Sequence, residues 1–297
     1  MTQVLIDSAV RAAELSLIAV GLSLTWGIVR FANVAHVQYA PIAGYLTYFA
    51  TISLGLGLLP AAILAIAATG LLGLGLQRWF FQRLASSGAA SALIGTLAVS
   101  IVITAVIQTV AGPRPRALAV PLTAGFTIGD AVITRTQILI IAITAVTLPL
   151  FFGFLWFSRP GRAIRGVAVN PQLAEASGIN TRRIRNLVTF IAAMLAGLGG
   201  ILLGLDTSLD LNMGAMLLLP VIAATITGGI GNPAGAVIAA TLIALAENAA
   251  LGINFGALVG GDAYLPVNYR PAVGFLVLIL VLLLRPEGIF GRSGRRA

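Results

Sequence analysis

The sequence predicts an all-α fold, a polytopic membrane helix bundle with about eight to ten transmembrane segments, some of them broken or half-helices. The chain is 59% hydrophobic and only 9% charged, whereas soluble domains carry roughly 25% charged residues. Several stretches of about 18 or more residues lack any charge, which is typical of membrane-spanning helices. We therefore treat residues 1–297 as one transmembrane domain.

The apolar segments follow one another along the whole chain. The predicted spans cover residues 5–29, 38–55, 58–76, 92–111, 137–157, 187–205, 213–227, 236–251 and 271–284. The stretches 31–55 and 213–235 are short or interrupted, and half-helices are expected there. Residues 77–91 are predicted to form a loop. Alternating apolar positions over residues 119–129, followed by Asp130, predict a short strand or hairpin outside the membrane.

The arginines predict the orientation. All 18 basic residues are arginine, and with the C-terminus in the cytoplasm 13 of them fall on the cytoplasmic side, as the positive-inside rule requires. The N-terminus is then outside, and the chain is expected to be a multi-pass protein of a bacterial plasma (inner) membrane. The first helix would serve as an uncleaved insertion signal. With no cysteine in the chain, disulfides are excluded.

Residues 158–186 form a polar insert between two apolar spans, and six arginines place this insert in the cytoplasm. Asn170 suits a helix N-cap, Pro171 the first helical position and Gly178 the stop. These signals predict a helix of about two turns over Pro171–Ser177. Such a short helix is marginal alone. The insert is either an ordinary positive-inside loop or a docking element, and the capped helix with the apolar Leu173 and Ala174 favours docking.

Three further places carry polar or helix-breaking residues within apolar surroundings. Asn33 and His36 interrupt the chain after the first span, where they either tie down the break or line a gate or pathway. No carboxylate nearby in sequence suggests a proton relay. The segment Gly228–Gly235, with Gly229, Gly231 and Asn232, suits either a broken helix at a substrate site or close helix packing.

Two acidic residues lie inside predicted spans. Arg11 precedes Glu14 by three positions, so the two share a helix face and can pair. Glu247 stands in an otherwise apolar span and is expected at a helix contact or in a vestibule. Few charges lie along the spans, which fits a permissive path for a neutral or zwitterionic solute.

Several segments carry a resemblance to one family. Residues 174–180, AEASGIN, resemble the coupling loop of ABC-importer permeases, in which an alanine stands four residues before a glycine. The glutamate usual two residues before that alanine is Gln172 here. Residues 27–36, 228–247, 269–271 and 285–291 are similar to branched-chain amino acid permeases of the LivH type.

The resemblance implies an ATP-driven importer for branched-chain or other hydrophobic amino acids. Its expected partners are a second permease subunit, two ATP-binding subunits that carry ATP and magnesium, an extracytoplasmic solute-binding protein and the lipid bilayer, with no nucleic acid. The residues expected to couple this chain to the ATPases are Pro171, Leu173, Ala174, Glu175 and Gly178. The substrate pathway is expected to include Asn33, His36, Gly228, Gly229, Gly231, Asn232 and Glu247.

The chain itself is expected to be no enzyme and to hold no cofactor. The phosphate-binding motif GxxxxGK[ST] is absent from the sequence, and one histidine without cysteine offers no metal cluster. Two alternatives stay open: a permease of the same architecture for urea, short amides or sugars, and an ion-coupled secondary transporter. A membrane-embedded enzyme lacks a catalytic cluster.

Overall fold

The structure, a computed structural model, describes residues 1–86, 88–118, 125–129, 131–254 and 264–291 and is a bundle of helices. Among these residues, seven helices are long and apolar enough to cross a membrane, which confirms the predicted fold class. The helices are α1 (Thr2–Val29), α2 (Tyr39–Ser53), α3 (Leu58–Leu76), α4 (Gln82–Ser86), α5 (Ala89–Ala111), α6 (Arg135–Phe157), α7 (Arg159–Val169), α8 (Pro171–Ala176), α9 (Thr181–Asp206), α10 (Met213–Gly228), α11 (Pro233–Gly252) and α12 (Arg270–Leu284).

The centre of the bundle is formed by α1 and α9, which pack on one another and on α2, α3 and α11. Small residues let these helices approach closely, as is common where helices meet within a membrane. A Cβ atom on Gly199 would lie 2.8 Å from Cγ1 of Ile18, and one on Gly200 would overlap the backbone of Ala40. The glycines of α9 therefore set its distance from α1 and α2.

The helices in the two interrupted stretches, α2 and α10, are too short to cross a bilayer alone, because a crossing needs about 20 residues. A 3₁₀ turn over Val34–Gln38 leads into α2, which has 15 residues. The apolar helix α10 has 16 residues. Both lie in the two stretches for which half-helices were predicted.

The prediction of a loop over residues 77–91 is wrong. Helix α3 continues through a π-helical turn, Gln77–Phe81, into α4. Arg78 is exposed at this end of the helix, and a long arginine side chain can reach water from a helix that is still in the interface. A charged residue therefore did not mark the end of the helix. The described helical run extends to Ser86, and Gly88, which directly precedes α5, has a φ of +102°.

A two-stranded antiparallel hairpin lies between α5 and α6, as predicted. Its strands are β1 (Phe126–Ile128) and β2 (Ala131–Ile133), with Phe126 opposite Ile133. The preceding residues 119–124 and the turn residue Asp130 lie outside the described part of the chain.

Helix α7 was not predicted. The hydroxyl of Ser158 caps it by accepting a hydrogen bond of 2.9 Å from the amide of Gly161, and Pro160 lies in its first turn. Ile164 and Val167 are buried against the bundle. Arginines at every third position, 159, 162 and 165, were the available signal for this amphipathic helix.

Candidate functional site

The short helix α8 carries the predicted docking residues. The side chain of Asn170 accepts a hydrogen bond of 3.0 Å from the amide of Leu173, which confirms the predicted cap. Gly178 ends the turn with a φ of +81°, a conformation that favours glycine. Ala174 is buried, whereas the side chain of Leu173 is 65% exposed. The helix therefore presents a leucine outward from a well-defined backbone.

Contacts with the start of α9 join α8 to the bundle. The hydroxyl of Thr181, the first residue of α9, donates a hydrogen bond to the carboxylate of Glu175. The amide of Ile179 donates to the carbonyl of Ala174 at 2.9 Å, and the side chain of Asn180 caps α9 at 3.0 Å. Because α9 is the longest helix of the bundle core after α1, a displacement of α8 would reach that core directly.

The break after α1 lies inside the bundle. His36 has no exposed surface, and its Nε2 atom lies 3.2 Å from the carbonyl oxygen of Ile18. Its ring meets the ring of Tyr39 edge-on at 5.5 Å. Ile18 is near the middle of α1, so the side chain of His36 lies beside the middle of that helix and not at its end. Asn33 is also buried, and its Oδ1 atom has no hydrogen-bond partner in the structure.

Sequence reasoning missed the polar residues that face this break. The side-chain amide of Gln38 donates a hydrogen bond of 2.9 Å to the hydroxyl of Ser100. The backbone amide of Val34 donates to the hydroxyl of Thr96 at 3.2 Å. Thr96 and Ser100 lie four residues apart on α5, and this spacing of hydroxyls in an apolar span was the signal that could have revealed them.

The Gly228–Gly235 segment makes very close backbone contacts. A Cβ atom on Gly27 of α1 would lie 2.8 Å from the Cα atom of Gly231, and one on Gly228 would overlap the backbone of Gly235. Asn232 caps α11 through the amide of Gly235 at 3.1 Å. Close packing therefore accounts for these glycines. Whether Gly228, Gly229, Gly231 and Asn232 also contact a substrate remains a prediction.

The same segment holds the end of the described chain in place. The side-chain amide of Asn232 donates a hydrogen bond of 3.3 Å to the carbonyl of Phe290. The amide of Ile289 donates to the carbonyl of Thr227 at 2.7 Å. The α10–α11 connection thus fastens the segment that follows α12.

A buried network of charges joins α1, α11 and α12. The guanidinium of Arg11 lies 3.6 Å from the carboxylate of Glu14, which confirms the predicted pair, and its Nε donates a hydrogen bond of 3.2 Å to Glu247. Glu247 has no exposed surface. Arg270 donates to the side-chain oxygen of Asn248 at 3.3 Å. The predicted pathway role of Glu247 stays untested, and the contact it makes is the helix contact that the sequence had left as one alternative.

The predicted pathway residues contact α1 at three separate levels. Glu247 reaches Arg11, His36 reaches Ile18, and Gly231 reaches Gly27. At 1.5 Å per residue these levels are about 10 and 13 Å apart along the helix. In the described part of the chain no group of three acidic or histidine side chains could hold a metal ion.

These features define a polytopic membrane protein. The bundle has buried charges, a 3₁₀ turn before its second helix, and a short helix that faces outward. Residues 4–282 match the model of the family described as the branched-chain amino acid transport system permease component. The chain belongs to this family, as the resemblance had indicated.

Named relatives resemble the chain over nearly its whole length. It is 30% identical to the high-affinity branched-chain amino acid transport system permease protein BraD of Pseudomonas aeruginosa, over 98% of this chain and 95% of BraD. It is 31% identical to the permease protein LivH of Escherichia coli K12, over 93% of this chain and 91% of LivH. It is also 26% identical to the galactofuranose transporter permease protein YtfT of that organism, over 95% of this chain and 79% of YtfT.

Proposed function

We propose that this chain is the membrane permease subunit of an ATP-driven importer for branched-chain or other hydrophobic amino acids. It provides the translocation path, and two ATP-binding subunits in the cytoplasm bind and hydrolyse ATP with magnesium. A second permease subunit completes the pore, and an extracytoplasmic binding protein delivers the solute. The two relatives named for branched-chain amino acid transport support this cargo.

The observation that carries the proposal is the construction of α8. An exposed leucine stands on a helix of six residues that is capped at its start and hydrogen-bonded to the first residue of α9. The cap and the hydrogen bond to α9 hold the exposed side chain of Leu173 in a fixed position, and its burial against a partner protein would remove apolar surface from water. Movement of the ATPases against Leu173 would be passed through Thr181 to α9 and would change which side of the membrane the pore faces.

Reconstitution tests the proposal. The chain is placed in liposomes with the second permease and the ATPases. ATP is supplied on the side of the membrane that carries the ATPases, and the binding protein is added on the other side. We expect uptake of labelled leucine that requires ATP and the binding protein. Leucine uptake by the chain alone under an ion gradient would instead identify a secondary transporter.

One relative supports a second cargo class. The similarity to a galactofuranose permease supports sugars as cargo, and urea and short amides stay open as predicted from the sequence. Competition in the same liposomes separates these cargoes. Excess isoleucine or valine should abolish uptake of labelled leucine, whereas excess sugar, urea or acetamide should leave it unchanged.

A further inference from the structure

A cavity of about 480 Å³ lies at one end of the bundle, between the end of α6, helix α7 and the α10–α11 connection. Gly231 and Asn232, two of the predicted pathway residues, lie at one side of this space, whereas the coupling residues of α8 do not line it. Its walls are mostly apolar: Leu155 and Trp156 come from α6, Ile164 and Ala168 from α7. The same wall carries one cationic side chain, Arg165.

The rim of the cavity is apolar and exposed. Trp156 is 56% exposed, and Val169 and Ile230 are exposed to a similar degree. The rings of Phe152 and Trp156 lie 5.8 Å apart along the wall. Trp156 and the exposed Phe157 occupy the last turn of a predicted membrane span, and aromatic residues at span ends mark the boundary between acyl chains and headgroups. The cavity therefore opens at the depth where a phospholipid changes from acyl chain to headgroup.

The charge on this side of the cavity is positive and unbalanced. Arg159, Arg162 and Arg165 follow one another along α7, and no acidic side chain that the structure describes forms an ion pair with any of them. One guanidinium nitrogen of Arg165 donates to the carbonyl of Leu155. The guanidinium has five N–H donors in all, which leaves others to bind an anion. A phosphodiester suits these donors, since arginine binds phosphate oxygens strongly.

We propose that this cavity is a binding site for one anionic phospholipid. The phosphate contacts Arg165, and an acyl chain lies along Leu155, Trp156 and Ala168. Apolar walls beside an unpaired guanidinium at headgroup depth match both halves of such a lipid. A bound lipid would connect α6 and α7 with the α10–α11 connection, next to the segment that leads into α8.

Tryptophan quenching tests the site with the full chain alone, so the result does not depend on ATPases or on the cargo. Substituting Trp26→Phe and Trp79→Phe leaves Trp156 as the only tryptophan of the three in the chain. The protein is placed in phosphatidylcholine vesicles with increasing fractions of dibrominated phosphatidylglycerol or of dibrominated phosphatidylcholine. We expect half-maximal quenching at about fivefold less of the anionic lipid, the effect of one basic residue at a membrane surface.

Two variants separate the parts of the site. Arg165→Gln removes the charge and Ala168→Phe fills the apolar wall, and each should abolish the preference. Arg182→Gln, at an exposed arginine of α9, is the matched control and should retain it. Equal quenching by both lipids in the parent protein overturns the proposal. A loss in Arg165→Gln alone would mean attraction to the α7 surface without entry into the cavity. A loss in Ala168→Phe alone would mean that a group other than Arg165 selects the anionic headgroup. Either result also overturns the proposal.

A free anion is the remaining alternative, and inorganic phosphate is its probe. Quenching by the brominated anionic lipid is measured in phosphate and in chloride at the same, physiological ionic strength. We expect the quenching to be equal in the two salts. If phosphate alone restores the fluorescence of Trp156, the site binds a small anion and the lipid assignment is wrong.

Discussion

Arg11 donates a hydrogen bond to Glu247 across 3.2 Å, although the two residues are 236 positions apart in the chain. The carboxylate of Glu247 is fully buried, and Arg11 also lies 3.6 Å from the carboxylate of Glu14. One guanidinium therefore serves two buried acids. This contact joins α1 to α11.

Removing Arg11 should destabilise the bundle strongly, because two carboxylates would lose their nearest counter-charge inside the membrane. We expect Arg11→Gln to lower the free energy of unfolding by about 3 kcal/mol or more. Thermal unfolding of the purified chain in detergent measures the effect. Arg78→Gln, at an exposed arginine of the π-helical turn, should change stability by less than about 0.5 kcal/mol. Similar stability of both variants would refute the importance of the network.

A methyl group on Gly200 should also be destabilising. Its Cβ would overlap the backbone of Ala40, which cannot move like a flexible side chain. We expect Gly200→Ala to cost about 1–3 kcal/mol, as overpacking does. Gly75→Ala is the matched control, since a Cβ there meets no atom within 4 Å and should be neutral or stabilising. The midpoint of thermal unfolding is measured for both variants. Equal midpoints would contradict the prediction.

The docking residue can be tested separately from folding. Leu173→Asp places a charge on the exposed side chain of α8 and should reduce ATP-dependent leucine uptake at least tenfold, about 1.4 kcal/mol of coupling. Leu173→Met preserves an apolar contact and should transport normally. Assembly with the ATPases is measured by co-purification. Full transport by Leu173→Asp in an intact complex would remove α8 from the coupling mechanism.

The predicted orientation can be read from cysteine labelling, because the chain has no cysteine of its own. Gln172 on α8 and Thr207 after α9 are both exposed, at opposite ends of a helix of 26 residues. A membrane-impermeant maleimide should label Thr207→Cys in intact cells and Gln172→Cys only in inside-out vesicles. The reverse pattern would place α8 outside the cell, away from any cytoplasmic ATPase.

Local signals made much of the fold predictable. Asn170, Pro171 and Gly178 act within a few residues of one another, so the sequence alone predicted the start and stop of α8. The uncharged spans were predictable for the same reason, since membrane thickness sets their length. The loop predicted at 77–91 was wrong because an arginine can remain in a helix that has reached the interface.

Contacts between distant segments were not predictable from local pattern. Nothing near Glu247 in the sequence indicates Arg11 as its partner, and nothing near Gln38 indicates Ser100. These pairs depend on where the helices cross one another. The hydrophobic periodicity of a single sequence does not indicate which helices cross or at which residues. The contact between Gly27 and Gly231 was likewise not predictable. The segments that contain both glycines were noted in the sequence, but nothing there indicates that the two meet.

The central position of α1 has a consequence for how the protein is made. This helix leaves the ribosome well before its neighbours α9, α10 and α11. Until the C-terminal third has entered the bilayer, Arg11 has Glu14 as a partner but lacks Glu247. A nascent chain stopped after α9 should therefore keep its first helix at the insertion machinery and be degraded, whereas one extended past α11 should be released.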